Sequence, residues 1–186
     1  MTTSTAKKVY TSEASTASFR ADQRFDDQQM RHYVNGACSV LHCHHYATLF
    51  TQLATDAENF DGPAHLVNAA AETIYPVLHD YFDKQGLTAV EDRLAVAEQW
   101  WSFVGMGQAR FTCEDWHGTV SMKHSHVDEG WLKKWGQRDS RVNFIGEGYI
   151  KASCAAVFSV DWKSVSVNET QSIVCGASTS RFDVTW

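Results

Sequence analysis

The apolar and polar positions of this chain follow a helical period in its first half and an alternating one beyond it. Residues 39–57 (SVLHCHHYATLFTQLATDA) contain no Gly or Pro and repeat apolar residues at helical spacing. Wound at about 100° per residue, Cys38, Leu41, Tyr46, Leu49, Phe50 and Leu53 share one broad arc. His42 and His45 fall inside that arc, whereas His44 falls opposite with Thr48 and Thr51. The arc is expected to face the core. A second helical pattern, over 62–82, aligns Leu66, Ala70, Ile74, Val77 and Tyr81, and leaves His65, Glu72 and His79 outside. Pro76 lies within it and is expected to kink or split the helix, because its ring collides with the Glu72 carbonyl. A third, over 89–104, aligns Val90, Leu94, Ala97, Trp101 and Val104 and ends at Gly105 and Gly107.

From residue 109 the period becomes two. Residues 109–116 and 119–127 read as strands of a hairpin around His117-Gly118. In the second strand Val120, Met122, His124 and His126 point one way, toward the apolar inner face. The alternative for His126 is a strand already leaving the core, since Asp128-Glu129-Gly130 follow at once. A short amphipathic helix over 129–135, a strand over 141–145 and a helix over 149–158 come next. Strands over 164–167, 171–175 and 181–186 finish the chain. This order predicts an α+β fold, an antiparallel sheet backed by helices. Residues 1–24, rich in Ser, Thr and Ala, read as a mobile or loosely docked arm, leaving 25–186 as one domain.

Composition narrows the partners. A chain of 186 residues with 44% apolar and 20% charged residues suits one globular unit, and its 7 Trp, 6 Tyr and 10 Phe suit a wide core or an aromatic-lined pocket. A net charge of −6, with no basic cluster beyond Lys133-Lys134, argues against nucleic acid. No apolar run reaches membrane-span length. Five cysteines without a repeating spacing, and no signal peptide, point to a reducing cytoplasm. No GxSxG, P-loop or GxGxxG supports nucleophilic or nucleotide chemistry.

The histidines are the candidate chemistry. His42 and His45, one turn apart on the expected inner arc, are either core residues satisfied by backbone or water, or ligands of a metal or cofactor. If His42 and His45 converge with His124 or His126, they form a three-imidazole set with open positions for water, dioxygen or substrate, suited to Fe or Zn. Glu98, Glu114 and Asp115 are carboxylates that could complete it. Cys38, Tyr46, Leu49, Trp101 and Met122 are the candidate pocket residues.

The C-terminal third resembles the 4-vinyl reductase domain family. The residues that carry the resemblance are EGWLKKWGQRDSRVNFIGEGY from Glu129, the helix GEGYIKASCAAVF, Val167 to Ser172, Gly176, Ser180 and Phe182. The resemblance covers residues 25–186 and places LHCHHYATLFTQLA at the helix over the family's ligand cavity. It implies binding of a small hydrophobic or aromatic molecule, as in the effector-sensing domains of aromatic-responsive activators, and frequent dimerisation. Distant relatives are haem-based nitric-oxide-binding domains and vesicle-tethering subunits, which keeps a haem on His42 or His45 open. Many members hold a structural zinc with three Cys and one Glu. Here Glu169 matches the glutamate, while Ser172, Ser180 and Asn143 stand at the cysteine positions, so that zinc is expected to be absent, with Glu169 accepting hydrogen bonds from Ser172 or backbone. The expectation is therefore a small-molecule-binding protein whose His-lined cavity holds a transition metal. The alternatives are a metal-dependent enzyme acting in that cavity and a ligand-free scaffold. Trp131, Trp135 and Trp186 suggest a homodimer interface.

Overall fold

A computed structural model describes residues 8–186; the first seven residues of the expected arm lie outside the described residues. The chain begins with β1 (Tyr10–Thr11) and a small sheet of β2 (Gln23–Asp26), β3 (Arg31–Val34) and β4 (Ala37–Ser39). Three helices follow, α1 (His44–Asp56), α2 (Gly62–Gln85) and α3 (Val90–Phe103). The hairpin β5 (Gly107–Cys113) and β6 (His117–Ser125) leads into α4 (His126–Trp135) and α5 (Phe144–Phe158). Strands β7 (Ser166–Gln171) and β8 (Ser180–Thr185) complete it. The main sheet has five strands in the order β1-β5-β6-β8-β7, every pair antiparallel. Helices α3 and α5 pack on it, α2 lies against α5, and α1 rests on α4 and α2. The fold is α+β, an antiparallel sheet backed by helices, as the element order predicts.

The core lies between sheet and helices, where Phe111, Val120, Met122 and Phe182 meet Leu94, Val96, Trp101 and Tyr149. Helix α5 is the most enclosed element, with 12 of its 15 residues buried. Small residues make this possible. A Cβ on Gly148 would lie 2.4 Å from the Val67 carbonyl oxygen and 2.6 Å from the Ala70 Cβ, so the two helices cross almost backbone to backbone. Asn143 starts α5 by accepting from the Gly146 N–H at 3.0 Å, which replaces the strand expected over 141–145 with a loop and the first helical turn.

Several expectations are corrected. Helix α1 begins at His44, not near residue 40, and Val40 and Leu41 are 80% and 92% exposed. Its buried face is Ala47, Thr48, Thr51 and Ala54, the side opposite the expected arc. The reason is close approach. A Cβ on Gly130 of α4 would come within 2.9 Å of the His44 Cβ and 3.0 Å of the Thr48 Cγ2, and one on Gly62 within 2.3 Å of the Ala54 carbonyl oxygen. Only small side chains fit there. The threonine hydroxyls stay satisfied inside the helix, Thr48 donating to the His44 carbonyl at 2.9 Å and Thr51 to Ala47 at 3.3 Å.

In the β5–β6 hairpin, Gln108 pairs with His124 and Ala109 with Met122, so Lys123 is a bulged residue. The bulge reverses the alternation, turning His124 to solvent and burying Ser125. The turn of that hairpin is Glu114-Asp115-Trp116, closed by the Glu114 N–H on the His117 carbonyl at 2.7 Å; His117 and Gly118 are already in the strand. Helix α2 runs unbroken through Pro76. Of residues 171–175, expected as strand, only Gln171 is in one; the rest form a turn closed by Cys175 N–H on the Ser172 carbonyl at 3.1 Å. The described part of the N-terminal arm is pinned to α3: Ser12 donates to Glu98 at 2.8 Å and Phe19 N–H to Gln99 at 2.9 Å.

The α2–α5 crossing gives a direct test. Gly148→Ala has no space against the α2 backbone and is expected to cost about 1–3 kcal/mol, lowering the thermal midpoint by several degrees in calorimetry. An unchanged midpoint would show that the helices separate without cost.

Candidate functional site

Between α1, α3 and the start of α5 lies a small apolar cavity of about 210 Å³. Its walls are Tyr46, Ala47 and Phe50 from α1, Ile74 from α2, Trp100, Trp101 and Val104 around α3, then Met106 and Ile145, with His42 joining them. As it stands it is too small to enclose a tetrapyrrole. A larger groove of about 520 Å³, lined by Cys38, Tyr81 and the Asn35-Gly36 turn, shares Ile74, Trp100 and Val104 with the cavity. The two spaces are neighbours divided by those side chains.

The cavity wall is held from behind. Tyr149 of α5 stacks on Trp101 with ring centroids 4.0 Å apart and donates its hydroxyl to the Ala97 carbonyl at 2.7 Å. Complete burial pushes the Tyr149 phenol far above its ordinary pKa, so it remains a donor. The Trp101 indole N–H is buried and has no acceptor among the described residues.

Of the candidate pocket residues, Tyr46 and Trp101 line the cavity and Cys38 lines the neighbouring groove. Leu49 is 43% exposed on the outer face of α1, and Met122 is fully buried in the main core. Trp100, Phe50, Ile74 and Met106 carried no pocket signal in the sequence, because each reads as ordinary core at helical or strand spacing.

The histidines regroup. His45, expected inward, is exposed, and His44, expected outward, is half-buried against α4. The ring of His126, the first residue of α4, lies 4.2 Å from that of His44 and 5.5 Å from that of His42, centroid to centroid. Burial chiefly, then the neighbouring His44 and His42, lowers the His126 pKa. His124 is exposed, its Nδ1 3.3 Å from the Glu129 carboxylate. Of the carboxylates named for a metal, Glu98 accepts from Arg110 at 2.7 Å and from the Phe111 N–H at 2.9 Å, which makes it a structural anchor. Among the described residues no group of three or more His, Cys, Asp or Glu side chains is arranged to hold a metal ion.

The positions matching the zinc ligands form a polar core instead. Asn143 donates to Asp128 at 2.8 Å and to Ser125 at 3.0 Å, and Ser180 donates to Asp128 at 3.3 Å while accepting from the Ile173 N–H at 3.0 Å. Glu169 is buried beside them, neither of its oxygens in a well-formed hydrogen bond, and the Ser172 hydroxyl is likewise without a partner. The Ser172 hydroxyl expected to donate to Glu169 lies near enough to favour its charged form, without forming a well-aligned bond. Burial first, then the negative charge of Asp128, pushes the Glu169 carboxyl up to about 8 against the opposing pull of Ser172. Burial likewise pushes Glu147 up to about 7, opposed by Arg141.

No family model and no curated protein matches the chain. Among solved structures, it is similar to the phenol-responsive sensory domain of the transcription activator PoxR, solved with phenol. The likeness has a TM-score of 0.70 at 12% identity, over 88% of this chain and 84% of that one. It is also similar to a trafficking protein particle complex subunit 3 from Naegleria fowleri covalently bound to palmitic acid, with a TM-score of 0.50 at 10% identity, over 76% of this chain and 93% of that one. The fold is shared with the PoxR sensory domain. No described helix is long and apolar enough to cross a membrane.

The raised carboxyls set a pH dependence. Folding raises the Glu169 and Glu147 pKa values, so the folded chain keeps protons that the unfolded chain releases. Their contribution is full below the ordinary carboxylate range and is lost as pH rises through about 7 to 8. Glu169→Gln, which cannot ionise, is expected to be more stable than wild type by roughly 1–3 kcal/mol near pH 9 and little different near pH 5. Parallel denaturation curves for both proteins at the two pH values would contradict this assignment.

Proposed function

We propose that the protein binds a small aromatic molecule carrying a hydrogen-bond acceptor in the cavity between α1 and α3. The observation that carries this reading is an apolar wall containing the Trp101 indole, whose N–H is buried without an acceptor. Leaving such a donor unmet costs about 1–3 kcal/mol; the nitrogen is closed off from the cavity as the side chains stand, so a ligand oxygen reaches it by displacing the side chain that covers it, and would then recover that cost. The volume of about 210 Å³ is below the roughly 300 Å³ at which drug-sized ligands begin, which favours a single ring over a fused system. Trp100, Tyr46 and Phe50 offer faces and edges against which such a ring packs. The PoxR domain with the same fold was solved with phenol, which supports the same ligand class here.

Phenol is the probe. Calorimetric titration of the chain with phenol is expected to show saturable binding, and Trp101→Phe is expected to weaken it about 5–20-fold, corresponding to one lost hydrogen bond. Val104→Trp, which fills the cavity, is expected to abolish it. Saturable binding unaffected by both substitutions would place the ligand elsewhere.

The same reading includes a homodimer; of the tryptophans considered for it, Trp135 is 40% exposed. Trp131 is buried against Trp135, and Trp186 stacks on Phe158 and donates to the Asp115 carbonyl. The outer face of α1 is the better surface: Tyr46, Leu49, Phe50 and Leu53 are 52%, 43%, 43% and 53% exposed. Residues 46–55 include no ionisable acid or base beyond the Tyr46 phenol, so two copies can meet there without charge repulsion, over the open side of the cavity. Light scattering is expected to give twice the chain mass, and Leu49→Lys with Leu53→Glu the single mass. A single mass for the unaltered chain would overturn the dimer.

A further inference from the structure

Three imidazoles at the junction of α1 and α4, one of them on the cavity wall, stand outside the polar core. We infer that His42, His44 and His126 form a binding site for a divalent transition ion of the zinc class.

The state of His126 is the starting point. Its ring lies beside the backbone of Cys43, and its Nε2 is buried with no partner among the described residues. An imidazole that donates from one nitrogen to a backbone carbonyl presents a bare lone pair on the other, which is how metal-binding histidines are oriented. The rings of His42 and His44 are the neighbours of His126. The ring spacing fits a shared ion: two imidazoles on one tetrahedral zinc, with Zn–N bonds of about 2.0–2.1 Å, have centroids about 5 Å apart. His42 and His126 stand at 5.5 Å and His44 and His126 at 4.2 Å. The rings do not yet surround one point, consistent with the absence of a ready-made metal set among the described residues. Rotation about side-chain torsions closes the difference. His42 is exposed and precedes the helix, and His44 is only half-buried, so both are free to turn. His126, at the start of α4, faces them from the neighbouring helix.

Three neutral imidazoles without a thiolate suit Zn²⁺ or its neighbours in the divalent series over Ca²⁺ or Mg²⁺. His42 also belongs to the cavity wall, so an ion held here would stand at the cavity mouth. The inference does not depend on the aromatic-binding reading, and zinc affinity tests it without phenol.

Zinc chloride titrated by calorimetry into the metal-free chain near neutral pH is expected to show one ion per chain, with calcium chloride giving no heat. His126→Ala is expected to lower zinc affinity at least ~100-fold and His42→Ala or His44→Ala at least ~10-fold. His45→Ala and His124→Ala, which alter exposed rings outside the cluster, are expected to leave it unchanged. X-ray absorption on the zinc-loaded unaltered chain is expected to show imidazole nitrogens at about 2.0–2.1 Å and no sulfur. This spectrum needs no variant, so a substitution that misfolds leaves the question answerable. Absence of stoichiometric zinc binding, unchanged affinity in a folded His126→Ala chain, or a sulfur shell at about 2.3 Å from Cys43 would each overturn the site.

Discussion

The crossing of α5 over α2 at Gly148 fixes the distance on which the rest of the structure depends. Because no Cβ fits between Gly148 and the carbonyl of Val67, the helices lie nearly in contact, and α5 is drawn into the middle of the fold. The next residue, Tyr149, then reaches the back of α3, stacking on Trp101 and bonding the Ala97 carbonyl. One close backbone contact therefore places the indole that walls the cavity. The aromatic stack and the buried hydroxyl bond keep that indole from turning inward to fill the space.

At the other end of α5 a second constraint operates. Asn143 both caps the helix and donates to Asp128, tying α5 to the start of α4. The hydroxyls of Ser125 and Ser180 join the same network from the sheet. A metal with thiolate ligands would hold these segments through its coordination bonds. Here amide, hydroxyl and carboxyl groups connect them, at the cost of a carboxyl, Glu169, that stays buried by retaining its proton. Packing of α4 in turn presents Gly130 to α1 and sets His126 beside His44.

Much of this architecture was legible in the residues. The change of period near residue 109, the buried Leu94, Ala97 and Trp101 of α3 and the alternation in β6 as far as Met122 all follow from side-chain spacing, whereas α2 buries Ala71, Leu78 and Phe82 beside the expected line from Leu66 to Tyr81. What was not legible depended on partners distant in sequence. Periodicity showed that α1 has two faces but not which one is buried; that was decided by Gly130 and Gly62, which accept only the small threonine and alanine side. The single bulged residue Lys123 exchanged the fates of His124 and Ser125. Of the histidines named from sequence, His42 and His126 are ring neighbours, with His44 and not His45 beside them. The cavity residues Trp100 and Met106 look like any core positions until the helices are packed.

The central claim, that the Trp101 indole meets a ligand in the α1–α3 cavity, is tested most directly by the indole N–H signals in a nitrogen–proton correlation spectrum. The chain has 7 Trp, and the Trp101 signal is the one missing from Trp101→Phe. On saturation with phenol the account predicts that this signal moves downfield as its N–H gains an acceptor, while those of the remote Trp116 and Trp162 stay in place. A Trp101 signal that does not move under saturating phenol would contradict it.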